Sequence, residues 1–179
     1  YMNQMPDAII LGLSNAVDGE PPISLNTENG SCSAVSYRGI GYKDINEDRI
    51  VILPEGEIFC VIDGMGGPGE GYKAANFLAE AVSKLERITP QIIQDLLVRV
   101  SKRITLECSK PGAGACYLLA QVSLPELKIW YAGDVKLIII YKDFGIKFET
   151  RDHSLLNSWI DAGELDPEDA LNHPMRNVV

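Results

Sequence analysis

Cysteine is scarce in this chain and histidine scarcer, with four and two among 179 residues. The cysteines, Cys32, Cys60, Cys108 and Cys116, stand 28, 48 and 8 positions apart. That spacing excludes a zinc-ligand motif and a dense disulfide framework, so reduced and mostly buried thiols are expected. Long apolar runs are missing too. Stretches such as Leu137 to Tyr141 fall far below the ~20 residues of a membrane-spanning helix, and the opening residues Tyr1 to Asp7 carry no basic region of an export signal. A soluble, cytoplasmic protein with no membrane partner is the expectation. Basic residues are in the minority, 16 Lys and Arg against 25 Asp and Glu, for a net charge of −9. Such a field repels phosphate backbones, which argues against nucleic acid as a partner.

What is present is globular. Apolar residues make up 46% and charged residues 23%, far from a disordered composition, and 179 residues suffice for one well-buried domain. The first 30 residues are turn-rich, with Asp18-Gly19-Glu20-Pro21-Pro22 and Asn26 to Gly30 around short apolar runs such as Ala8 to Leu13. They are expected to form an extension or arm, with the domain proper over 31–179. Ile50 to Leu53 and Ile58 to Ile62, joined by Pro54-Glu55-Gly56-Glu57, predict a β-hairpin. Helical spacing follows in Ala74, Ala75, Phe77, Leu78, Ala81, Val82 and Leu85, then in Ile92, Ile93, Leu96, Leu97, Val100 and Ile104, the second with Thr89-Pro90 as its start. Strands are predicted over 115–122, 127–132, 135–141 and 146–149, then short helices from Leu155 to Ala162 and from Pro167. Meandering strands with paired helices between them indicate an α+β fold with antiparallel sheets.

The acids have two readings, a solvated surface or a cation site, and their positions discriminate. Glu47 and Asp48 lead into one strand of the hairpin, and Asp63 leaves the end of the other. Antiparallel pairing brings those ends together, and like charges at ~4 Å repel by about 4 kcal/mol at an effective dielectric near 20, so the cluster requires a cation or protons. An all-oxygen set suits Mg²⁺ or Mn²⁺ rather than zinc. Glycines after Asp63 leave room for a main-chain carbonyl, such as that of Gly64, to face an ion. On spacing alone, Asp-Gly as a plain turn and Asn-Glu-Asp as a plain loop remain open.

Asn46-Glu47-Asp48, then Phe59 to Gly67 with its Asp63-Gly64-Met65-Gly66-Gly67, then Gly69 to Ala75, resemble the opening motifs of bacterial PP2C-type (PPM) metal-dependent Ser/Thr phosphatases. Further matches keep the family's order: Gly114-Ala115, Ala132-Gly133-Asp134, Asp152-His153-Ser154, Asp161 to Glu164, and His173 to Asn177. The resemblance covers about residues 33–179. It implies a PP2C-like antiparallel β-sandwich flanked by paired helices, incomplete at the C-terminus, with a flap at about 152–177. By the same resemblance Asp63 bridges two Mg²⁺ or Mn²⁺ ions, the Gly64 carbonyl ligates one, Glu47 and Asp48 hold metal-bound waters, and Asp134 helps bind a third. The implied reaction is attack of a metal-activated water on phosphoserine or phosphothreonine in a phosphoprotein.

The sequence departs from the pattern in places. Lys43 stands where the family carries a phosphate-binding Arg, which exchanges a bidentate fork for a point charge; Arg38 is the substitute within the same segment. Met65 takes the position of a His that serves many eukaryotic members as an acid, as is common in bacterial ones. His153 and His173 are read as structural. The family's later metal-binding Asp residues lie beyond the matched motifs, which implies self-association through open sheet edges and keeps a second hypothesis alive, a pseudophosphatase or binding module on the same scaffold. Nucleotide binding by residues 64–71 is disfavoured, because the lysine and hydroxyl pair of a P-loop is lacking.

Overall fold

The computed structural model describes residues 8–14, 19–39, 45–67, 69–142 and 145–179. The chain divides into two compact units, Tyr1–Trp130 and Tyr131–Val179. In the first, strands β1 (Ile9–Leu11), β2 (Ile23–Thr27), β3 (Gly30–Ala34), β4 (Asp48–Leu53) and β5 (Ile58–Met65) precede helices α1 (Glu70–Val82) and α2 (Pro90–Glu107), and β6 (Gly114–Ser123) follows. Strand β7 (Glu126–Ala132) leads into the second unit, which holds β8 (Ile138–Tyr141), β9 (Gly145–Glu149), α3 (Leu155–Asp161) and α4 (Pro167–Ala170). The architecture is α+β, as the sequence implies.

Among the described residues the main sheet has the order β1-β4-β5-β6-β7, and β2-β3 and β8-β9 form separate two-stranded sheets. Strands β1, β4, β5 and β6 pair antiparallel in turn. Alternation along β5 is strict: Ile58, Cys60 and Ile62 are buried while Val61, Asp63 and Met65 are exposed. The buried row packs with Val51 and Leu53 of β4, Leu119 of β6 and the apolar stripes of α1 and α2, including Ala75, Leu78, Val82, Ile93 and Leu96. The sheet is thus apolar toward the helices and carries its acids on the opposite side, the arrangement that period 2 dictates. Burial pushes the Cys60 thiol up to about 12, as expected of an unreactive core cysteine. No cysteine is in a disulfide.

Helix α1 begins four residues before the first periodic apolar position, because Glu70 is drawn inward. Its carboxylate accepts from the Ser109 N–H at 3.0 Å and from Lys73 at 3.2 Å, which fixes the start of α1 to the segment after α2. Thr89 caps α2 through the Ile92 N–H, with Pro90 in the first turn. The run at residues 8–13 supplies an edge strand, β1, in register with Ile50, Val51 and Ile52. Three residues are too few for periodicity to announce a strand.

In the second unit β8 starts at Ile138 rather than at 135, because Leu137 is held by Thr150: its N–H donates to the Thr150 hydroxyl at 2.9 Å and its carbonyl accepts from the Thr150 N–H at 3.0 Å. Ile140 and Ile146 remain 68% and 62% exposed on this hairpin. Ser154 and Asp166 cap α3 and α4. His153 stacks on Tyr131 at 4.7 Å and His173 meets Trp159 edge-on at 5.5 Å. Among the described residues no helix is long and apolar enough to cross a membrane.

Leu96, 2% exposed where α2 meets the core, has no room to be lost quietly. Leu96→Ala is expected to lower unfolding free energy by about 2–5 kcal/mol in urea titration, with an unchanged m-value. A loss under ~1 kcal/mol would contradict this placement of α2.

Candidate metal and phosphate site

The hairpin register puts Asp48 directly opposite Asp63. Both side chains fall on the exposed parity of their strands, at the end of β4–β5 that opens onto a cavity of about 470 Å³. Asn46, Glu47, Gly64, Met65 and Gly66 line the same cavity, with Arg38 as its one cationic side chain among the described residues. The walls strip enough water from Asp48 to raise its pKa above the ordinary aspartate value, with Glu47 adding to the rise; a hydrogen bond with Asp63 and the charge of Arg49 pull the other way.

Main chain around the pair is tightly fixed. The Asn46 side chain donates to the Ser36 hydroxyl at 3.1 Å and accepts from the Asp48 N–H at 3.1 Å. The Gly64 N–H donates to the Glu47 carbonyl at 3.1 Å, continuing the hairpin one step past the acids. A Cβ on Gly64 would lie 2.1 Å from the Gly71 carbonyl oxygen, and one on Gly71 would lie 2.5 Å from that of Gly64. Only two glycines allow the strand end and the first turn of α1 to touch. Glu47 serves this junction as well, since its Oε1 accepts from the Gly69 N–H at 3.2 Å.

Asp48 and Asp63 are therefore brought together, and Glu47 stands beside them with a carboxylate bonded to the loop. Asp134 belongs to the second unit, exposed in the turn between β7 and β8. Lys43 falls within 40–44, outside the described residues. Among the described residues no three Asp, Glu, His or Cys side chains gather closely enough to hold an ion by themselves. Two adjacent carboxylates with the Glu47 carboxylate and main-chain carbonyls nearby still fit a hard cation that takes one or two carboxylates and keeps several waters, as Mg²⁺ does.

One residue the sequence reading passed over is Arg49, 0% exposed beneath the site. Charged residues are ordinarily assigned to the surface, and the alternation Asp48-out, Arg49-in was the available signal. The second unit has its own cavity of about 500 Å³ beside α3. In its lining Arg151 pairs with Asp161 at 2.8 Å, and His153 stacks on Tyr131.

The chain matches no protein-family model. It is 28% identical over 135 residues to the serine/threonine phosphatase Stp of Listeria innocua, which covers 68% of this chain and 53% of that protein. A Streptococcus pyogenes protein described as protein phosphatase 2C-type is 26% identical over 172 residues, 88% of this chain and 65% of its own. The fold matches the serine/threonine phosphatase PstP of Mycobacterium tuberculosis with a TM-score of 0.63, at 17% identity, over 88% of this chain and 64% of that one. A structure of the PstP catalytic domain in complex with two manganese ions matches at 0.57, with 16% identity, over 83% and 62%. In sequence and fold the chain is similar to PP2C (PPM) phosphatases, and it spans about half the length of the Stp relative it matches.

Proposed function

We propose that the protein to which this chain belongs hydrolyses phosphoserine and phosphothreonine in phosphoproteins, with Mg²⁺ or Mn²⁺ held at Asp63. The observation that carries this reading is the direct pairing of Asp48 with Asp63 on the open side of the sheet. The manganese-bound PstP structure supports a divalent cofactor. Asp63 and the Gly64 carbonyl are the proposed ligands, Glu47 and Asp48 hold the ion's waters, and Asp134 serves a further ion. A divalent cation in such a site makes bound water acidic and offsets phosphoryl charge.

The chain's own groups do the rest. Asn46 fixes the Asp48 main chain, so that the Asp48 carboxylate accepts a proton from a water in a set direction. An anion entering a cavity lined by Glu47, Asp48 and Asp63 meets strong repulsion, and Arg38 is the described side chain placed to offset it. Lys43 is the other candidate for that task.

Three outcomes follow for the full-length protein. Turnover of a phosphoserine peptide is expected only with added Mn²⁺ or Mg²⁺, and Asp63→Asn should weaken Mn²⁺ binding well beyond the roughly 10–100-fold that a supporting residue costs. Unchanged affinity in calorimetry would refute the assignment. Arg38→Ala should lower kcat/KM by about 10–100-fold, the worth of a charge-assisted hydrogen bond of about 1.5–3 kcal/mol. If Lys43→Ala alone has that effect, Lys43 and not Arg38 meets the phosphate.

Asp48 supplies a pH test. Its folded pKa lies above the unfolded one, so its contribution to stability is full below the ordinary aspartate pKa and is lost as pH rises through the folded value. Metal-free Asp48→Asn should therefore gain on the wild type as pH rises from about 4 to about 7, and should exceed it at neutral pH. Thermal unfolding in EDTA measures the difference, and parallel curves would show that Asp48 carries no such penalty.

A further inference from the structure

Arg49 is a fully buried cation whose Nε and Nη1, among the described residues, donate to an amide oxygen and to main-chain carbonyls. Its Nη1 donates to the carbonyls of Gly12 at 2.6 Å, Asn46 at 3.0 Å and Asp48 at 2.5 Å. Its Nε donates to Asn76 Oδ1 at 2.7 Å, and the guanidinium lies 4.7 Å from the ring centroid of Tyr72. Asn76 and Tyr72 belong to α1, Gly12 follows β1, and residues 46–48 are the segment that carries the candidate site's acids. One side chain thus ties three separate parts of the chain to the main chain of the site. A buried charge with neutral acceptors is costly unless hydrogen-bonded; Nε and Nη1 are bonded while the buried Nη2 makes no hydrogen bond among the described residues, so the clamp runs through Nε and Nη1.

The approach of the N-terminal strand is equally close. Gly12 has a φ of +89°, and a Cβ there would lie 2.2 Å from the Asp48 carbonyl oxygen. Its N–H and that of Ser14 are held by the two oxygens of Glu20, at 3.0 and 2.6 Å. The segment after β1 is therefore shaped to fit beneath Asp48.

We propose that Arg49 is the positioning residue of the cation site: by clamping the carbonyls of Gly12, Asn46 and Asp48 against α1, it holds Asp48 in register with Asp63. This makes the β1 segment part of the site's framework rather than a loose arm. The inference rests on the metal reading given above for its affinity arm, and on the hydrogen-bond geometry alone for the other.

Two measurements on the full chain test it, with Asn76→Ala and Arg49→Lys as variants and Val100→Ala, in α2, as a core control of comparable stability loss. Amide exchange at Gly64, whose N–H bonds the Glu47 carbonyl, reports the register directly and needs no metal. Local exchange there should quicken about tenfold in Asn76→Ala relative to the control, and unchanged exchange overturns the proposal. Titration with Mn²⁺ should show affinity about 10–100-fold weaker in Asn76→Ala and Arg49→Lys, as for residues that support ligands, and unaltered in Val100→Ala. Where the wild type binds Mn²⁺, equal affinity in all variants also overturns it. Should Arg49→Lys fail to fold, Asn76→Ala, which removes a single bond of the cluster, decides alone. A wild-type chain that binds no Mn²⁺ but loses Gly64 protection in Asn76→Ala supports the clamp and refutes the cation.

Discussion

The pairing of β4 with β5 is the constraint on which the site depends. A slip of one residue would turn Asp48 toward the helices and Arg49 toward the cavity, exchanging a buried cation for a buried anion. Several independent features hold the register against that slip. Ile58, Cys60 and Ile62 bury one face of β5, the Gly64 N–H reaches the Glu47 carbonyl past the last pair, and Arg49 fills the position beneath Asp48 with bonds that no apolar side chain could make. Apolar burial is nondirectional and gives most of the stability, whereas the hydrogen-bonded cluster gives the site its one geometry.

That division explains an otherwise awkward juxtaposition. An ionised Asp48 is unfavourable in the fold taken alone, because burial strips its water and Glu47 adds like charge, and both raise its pKa. Sites of this kind hold strain against a ligand that relieves it. A scaffold held rigidly from below keeps two like charges adjacent without letting the strand end splay, and the close contact of Gly64 with Gly71 extends the same rigidity into α1.

Much of this was legible in the sequence where the pattern is local and periodic. The hairpin at 50–62, the two helices, the cap at Thr89 and the convergence of Asp48 with Asp63 follow from alternation, helical spacing and antiparallel geometry. The parts that depend on distant partners were not legible. Residues 9–11 are too short to show a strand's period, and only pairing with β4 reveals them as one. The start of α1 at Glu70 depends on Ser109, far along the chain. Arg49 is concealed because a charged residue is ordinarily placed in water, and only the fold shows what its guanidinium meets. Glu47 lines the same cavity as Asp48 and Asp63, and its Oε1 also accepts from the Gly69 N–H, a partner that exists only once the loop has closed on α1.

The central claim is that the Asp48–Asp63 end of the hairpin is a cation site, and paramagnetic broadening by Mn²⁺ in an amide-resolved NMR spectrum of this chain tests it most directly. With substoichiometric Mn²⁺, resonances of Asp48, Asp63 and Gly64 should disappear first, and addition of excess EDTA should restore them. Broadening that spreads over acidic surface residues elsewhere while these three signals persist would contradict the account.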